Sequence, residues 1–173
     1  MNTLTYVPSP RSRILGIDPF TKGFGFAVVE EDPLRLLDWG TAIGHRNSAG
    51  IGTRLAELLS RYRPTDLVIA DPRTARIKAR QVALNTFIHY ATLAVHGSCA
   101  IQLVSADQWH RTLSPLGAVT KEAIATLLVG MFPELLPHLP PHRHVSQSED
   151  ARWAIFDAVA LALSAGTVAT RRE

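Results

Sequence analysis

Only one cysteine, Cys99, occurs in the chain, which excludes internal disulfides and cysteine-based zinc sites. It stands just before the apolar run AIQLVSA and reads as a buried, inert thiol. Lysine is scarce too. It appears at 22, 78 and 121, and arginine supplies the rest of a net charge of +3 and a pI near 9.4. An excess of that size suits a nucleic-acid partner without requiring one, so where the charge clusters decides its meaning. No apolar run reaches the length of a membrane span, so a transmembrane role is not expected. The segment MNTLTYVPSPRSR has no acids and no hydrophobic centre, and is not a secretory signal. Pro8, Ser9 and Pro10 cannot contribute to a core, so residues 1–12 are expected to form a flexible leader. A cytoplasmic protein is the expectation. Neither repeats nor a second boundary are visible, so residues 13–168 are expected to fold as one domain large enough for a substantial core.

What is present alternates in period along the chain. Residues 13–18 (RILGID), 24–30 and 34–43 read as three strands with short connections, a meander whose first turn is expected at Gly23-Phe24-Gly25. Residues 51–63 place Ile51, Leu55, Leu58, Leu59 and Tyr62 on one helical face, and Pro64 stops that helix. The run DLVIA at 66–70 suits a strand buried on both faces. A helix at 79–97 and a strand at 100–105 follow, then helical stretches near 107–113 and 120–132. The Pro/His-rich segment 135–147 reads as a loop. A last helix is expected over 147–168, with Ser146 and Glu149 forming a capping box. The order β-β-β-α-β-α-β-α-α predicts an α/β fold, a mixed five-stranded sheet with helices on both faces.

Most of the fifteen acids have ordinary places in turns, caps or polar helix faces. Three intrude on apolar sequence: Asp18 ending RILGID, Asp71 ending DLVIAD, and Asp157 inside WAIFDAVALALSAG. A carboxylate among Ile, Phe and Val costs several kcal/mol (roughly) unless it is compensated. Each acid has a plain reading: Asp18-Pro19 and Asp71-Pro72 suit turn starts, and Asp157 suits an ion pair with Arg152 or Arg73. Taken together, two acids at carboxyl ends of strands and one on a helix favour a carboxylate cluster. Such a cluster selects hard cations, Mg²⁺ or Mn²⁺, and two such ions are a recurrent device for phosphodiester cleavage. Directly after Asp71 comes PRTARIKARQ, where Arg73, Arg76, Lys78 and Arg80 gather four positive charges suited to phosphate contacts. Ile77 within it suits either an apolar wedge at an opened base step or burial.

The stretch ILGIDPFTKGFGFAVVE resembles the first motif of RuvC, the bacterial Holliday junction resolvase family of the ribonuclease H-like superfamily. PTDLVIADP resembles that family's fourth strand, AVTKEAIATLLV its A-x-K-x-x-V helix start, and FDAVALALS its final helix. The likeness spans about residues 13–166 in the family's order. It implies a ribonuclease H-like fold and a crossover junction endodeoxyribonuclease, with Asp18, Asp71 and Asp157 as catalytic metal-binding acids. It further implies Lys121 near the scissile phosphate and His110 with Arg111 as a basic site in the preceding helix; Lys22, in the turn after Asp18, joins the expected nucleic-acid contacts. A homodimer that nicks four-way-junction DNA symmetrically is implied, with a branch-migration helicase as a possible partner.

Three departures mark this chain. Asp71 replaces the family's usual Glu, Phe20 replaces a Gly, and Ala154 stands where another acid or His is usual. Asp150, seven residues before Asp157, is the nearest substitute ligand, although Glu149 and Asp150 equally suit a first helical turn. Two other readings stay open. A YqgF-like ribonuclease acting on RNA shares the first and last motifs, but usually has Gly-Leu-Pro where this chain has Ala-Asp-Pro. A non-catalytic module binding branched nucleic acid fits the loss at Ala154.

Overall fold

The computed structural model describes residues 11–20, 22–43, 48–95, 97, 99–116, 120–140 and 151–169. Five strands form one sheet in the order β3-β2-β1-β4-β5. They are β1 (Arg13–Phe20), β2 (Gly23–Glu30), β3 (Arg35–Ile43), β4 (Asp66–Ala70) and β5 (Ala100–Val104). The first three pair antiparallel, while β4 and β5 add in parallel on the other side of β1. Five helices join them: α1 (Ser48–Tyr62), α2 (Lys78–Ala94), α3 (Ala106–Leu113), α4 (Lys121–Met131) and α5 (Trp153–Ala169). The α/β class and the mixed five-stranded sheet are those read from the sequence. Three helices follow β5, matching the three helical stretches read beyond residue 105, of which the order β-β-β-α-β-α-β-α-α counts two.

The central strands are apolar on both faces, and each face has its own core. Leu15, Ile17, Phe24, Phe26, Val28, Leu67 and Ile69 meet Leu55 and Leu58 of α1 and Leu84, Phe87 and Ala91 of α2. Ile14, Ala27, Val29, Val68 and Val104 face α5, with α4 packed beyond it. Sequence alternation assigns the faces, since successive strand residues point opposite ways. α5 is apolar all round because it lies between the sheet and other helices, which leaves it no solvent face for most of its length.

Several local expectations are corrected. β1 runs two residues beyond Asp18, and Phe20 pairs with Gly23, so the hairpin connection comes before the glycines rather than at them. The glycines expected in the turn lie inside β2. α2 ends at Ala94 rather than 97. Residues 133–138 form a 3-10 helix rather than loop, anchored by the fully buried Leu135. α5 begins at Trp153, and residues 151 and 152 are turn rather than helix. Ser146, Glu149 and Asp150 lie outside the described residues, as do His142 and His144. His138 packs edge-on against Trp39, with ring centroids 6.3 Å apart.

Glycine has a different task from turning. A Cβ on Gly16 would lie 2.0 Å from the carbonyl oxygen of Ala158, and one on Gly25 would lie 2.2 Å from that of Ala154. These two glycines let the backbone of α5 settle directly on β1 and β2. Ala154, Ala158 and Ala162 form the matching small-residue face of the helix, one turn apart.

Candidate active site

The close seating of α5 decides where its one acid goes. Asp157 lies one turn beyond Ala154 and keeps 14% of its side-chain exposure at the edge of the sheet. Asp18 shares the α5 face of β1 with Ile14 and Gly16 and is 2% exposed. The β1–β4 pairing stops at Ile17 and Ile69, so Asp18 stands just past the paired segment. Asp71 follows the last residue of β4 and is 6% exposed. Its amide donates to the carbonyl of Val104 at 2.9 Å, which ties the turn to β5. All three intrusive acids therefore line one cleft of about 340 Å³, together with Arg80, Lys121, Trp109 and His110.

Each acid meets a cation. Arg80, on the first turn of α2, places Nη2 2.5 Å from Asp18 Oδ1. Lys121, the first residue of α4, places Nζ 3.0 Å from Asp157 Oδ2. The same ammonium lies 5.4 Å from the centre of the Trp153 ring. Arg73 grips Asp71: its Nε and Nη2 donate to the carboxylate at 2.8 to 3.1 Å, and its backbone amide donates to Oδ1 at 2.9 Å. Asp71 thus serves as the cap of the 3-10 turn at Pro72–Thr74.

The electrostatic consequences differ. Burial pushes the Asp18 carboxyl up to about 7, and the charge of Asp157 pushes it the same way, against the pull of Arg80 and Lys121. Asp18 and Asp157 therefore repel across the cleft. Asp71 is held below the usual carboxylate range, chiefly by the hydrogen bonds from Arg73. Two facing carboxylates with oxygen donors only suit a hard divalent cation, and Mg²⁺ commonly takes one or two carboxylates and keeps its waters. Among the described residues no three His, Cys, Asp or Glu side chains come close enough together to hold one ion. The fit is thus to the Asp18–Asp157 pair, with Asp71 in the same cleft but turned onto Arg73.

The basic residues read from the sequence separate into groups. Arg80 points into the cleft onto Asp18 and is only partly exposed. Arg73, Arg76 and Lys78 are exposed beside the cleft, as is Ile77 at 67%. Lys22 is exposed in the hairpin turn. His110 lines the cleft and stacks on Trp109, with ring centroids 4.0 Å apart and planes 19° apart. Arg111 is exposed and bonds back to the carbonyl of Asp107 at 3.1 Å. Lys121 meets Asp157, and Arg73, one of the partners expected for that acid, is on Asp71 instead. Sequence reasoning missed Trp109 and Trp153. Their signal was adjacency, one beside His110 and the other one helical turn before Asp157.

At the opposite end of β1 and β2, Glu30 is 1% exposed and bound by Arg11, Arg13 and Arg35. Their hydrogen bonds and charges, those of Arg35 first, bring it down to about 2.

No family model and no curated protein matches the chain. Solved structures do resemble it. Thermus thermophilus RuvC in complex with Holliday junction substrate superposes with a TM-score of 0.71 at 20% identity, covering 93% of this chain and 96% of that one. Thermus thermophilus RuvC alone gives 0.64 at 21% identity, covering 92% and 96%. The yeast mitochondrial Holliday junction resolvase gives 0.58 at 15% identity, covering 90% and 79%. With its strand order, its flanking helices and these likenesses over nearly the whole chain, the protein has the ribonuclease H-like fold of the RuvC resolvases.

Proposed function

We propose that the protein is a metal-dependent, structure-selective endodeoxyribonuclease that resolves four-way DNA junctions by symmetric nicking. The observation that carries this reading is the pair Asp18 and Asp157, held in mutual repulsion by strand and helix backbone, with the Lys121 ammonium beside it. Such a pair is stable at neutral pH only with positive charge at hand, and a phosphodiester is the substrate such a site fits. Bound Mg²⁺ or Mn²⁺, two ions in the full site, would supply an activated water and neutralise charge on the departing oxygen.

The chain's own residues divide the remaining work. Asp18 and Asp157 hold the cation side of the site, with Asp71 as the third acid. Lys121 donates to a phosphate oxygen and offsets charge as water adds to phosphorus. The bond from phosphorus to the 3′ oxygen breaks, leaving a 5′-phosphate and a 3′-hydroxyl. Arg73, Arg76 and Lys78 contact backbone along the rim, so affinity falls with salt. Exposed Ile77 stands where an apolar side chain would wedge into an opened base step. Symmetric nicking calls for a homodimer, and Val82 and Leu93 of α2, 57% and 63% exposed, offer apolar surface for a second copy.

One observation favours a second reading, a binding module without cleavage: every acid in the cleft already has a cation. The experiment is incubation with a four-way junction, a linear duplex and a structured RNA, in Mg²⁺, Mn²⁺ or EDTA. Paired symmetric nicks in the junction, lost in EDTA and in Asp18→Asn, are the expected result. Tight junction binding without nicking in either metal leaves the binding module. Preferential cleavage of RNA moves the activity to a YqgF-like ribonuclease.

A further inference from the structure

Arg73 is placed oddly for a residue whose only task is to hold a turn. Its side chain is 82% exposed, whereas the carboxylate it grips is 8% exposed. Both oxygens of Asp71 accept from it: Oδ1 from the backbone amide and Nε, Oδ2 from Nε and Nη2. Asp71 lines the cleft of Asp18 and Asp157, yet among the described residues no three ligating side chains are close enough to share an ion. The third acid is thus in the right cleft with its donor atoms engaged. The guanidinium engaging them faces solvent beside the exposed Arg76 and Lys78.

We propose that Arg73 is a phosphate-released latch on Asp71: it keeps the third carboxylate from divalent cations until a nucleic-acid phosphate takes the guanidinium. The proposal rests on the nuclease reading above. A phosphodiester offers the same forked acceptor geometry as a carboxylate, and Arg matches either with paired N–H donors. Because Arg73 is exposed, it changes partner without disturbing the core. The latch would explain a site in which each acid already meets a cation without DNA: ions added there would meet positive charge already in place. Phosphates of the substrate bring negative charge, draw Arg73 away and leave Asp71 to join the cation site. Arg73 is a positioning residue in this account, acting through Asp71.

The test is Mn²⁺ binding to the full chain, read as loss of the free-ion electron paramagnetic resonance signal, alone and with a saturating linear duplex. The wild type is expected to bind Mn²⁺ about tenfold more tightly with duplex, the order expected when one charged hydrogen-bonded competitor is removed. Arg73→Gln is expected to bind at that tighter value without DNA, and duplex then adds less than about twofold by the same reasoning. Arg73→Lys, which keeps the charge but loses the fork, should fall between. Unchanged Mn²⁺ affinity in DNA-free Arg73→Gln overturns the latch, and so does weaker affinity with a lowered melting temperature, which marks a structural clamp. If Arg73→Gln fails to fold, Arg73→Lys decides by the same comparison, and wild-type affinity in it overturns the proposal. The latch and the nuclease reading fail separately. A shifted Mn²⁺ affinity without junction nicking sinks only the nuclease, and junction nicking with unshifted affinity sinks only the latch.

Discussion

Replacing Gly25 by alanine adds one methyl group, yet it should damage both the fold and the site. The new Cβ would lie 2.2 Å from the Ala154 carbonyl oxygen, 2.3 Å from its carbonyl carbon and 2.7 Å from its Cβ. Ordinary contact begins at 3.4 Å, so the closest gap is short by 1.2 Å. The obstacle is backbone in α5, and no side-chain rotation relieves it. Overpacking of a core costs about 1–3 kcal/mol, and a backbone obstacle belongs at the upper end of that range. The helix must retreat from the sheet, and Asp157, one turn on, retreats with it. A displacement of about 1 Å between reacting groups costs roughly 10²-fold in rate. Urea denaturation and junction nicking in Mg²⁺ measure the two losses on one protein. Gly130→Ala is the control: that glycine is exposed on α4 with nothing within 4 Å of the added Cβ. It should leave nicking unchanged and gain up to about 1 kcal/mol from helix propensity. A Gly25→Ala protein as stable and as active as the wild type would refute the role given to close helix–sheet approach.

In EDTA, Asp18 titrates near 7 in the folded chain against 3.8 ordinarily, so the folded state binds the extra proton between those values. Stability should therefore fall as pH rises from about 4 to about 7, and Asp18→Asn should flatten that slope in urea melts; an equal slope in both proteins refutes the assignment. Lys121→Ala removes the ammonium from Asp157 and from the Trp153 ring, and nicking should drop roughly 10²-fold or more, with partial recovery in Lys121→Arg. Glu30, brought down to about 2 from 4.5, stabilises the fold above about 4.5, and that contribution is lost as pH falls toward 2. Glu30→Gln should melt lower than wild type at pH 7 and alike at pH 2, a difference that circular dichroism reads directly.

The acids were legible because they break apolar patterns. Asp18, Asp71 and Asp157 are conspicuous in RILGID, DLVIAD and WAIFDAVALA, and strand order alone brings two of them to one edge. Their partners were not legible. Arg80 meets Asp18 from 62 residues away, and Arg80 read as one more charge in a basic run. No periodicity assigns a given arginine to a given carboxylate; the crossing of α2 over the end of β1 does. The glycines were visible but misread. Gly25 follows an Asp-Pro and sits beside Gly23, so turn chemistry was the local inference. The competing signal lay far off in Ala154, Ala158 and Ala162, whose spacing marks a helix face without bulk. The start of α5 was misplaced for a related reason: Ser146 and Glu149 satisfy a capping pattern, while the apolar face that holds the helix down begins at Trp153.

The seating of α5 has a consequence for how parts of the site open. Asp18 rides on a strand with a core on each face and Asp157 on the helix at the centre of one of those cores, so their amides should exchange with solvent only when the whole molecule unfolds. Asp71 heads a single 3-10 turn followed by exposed Arg73, Thr74 and Arg76, and that segment should exchange through small local openings. The site therefore spans two extremes of protection within one cleft. Half of it lasts as long as the fold does, and the other half is free to rearrange many times within that lifetime.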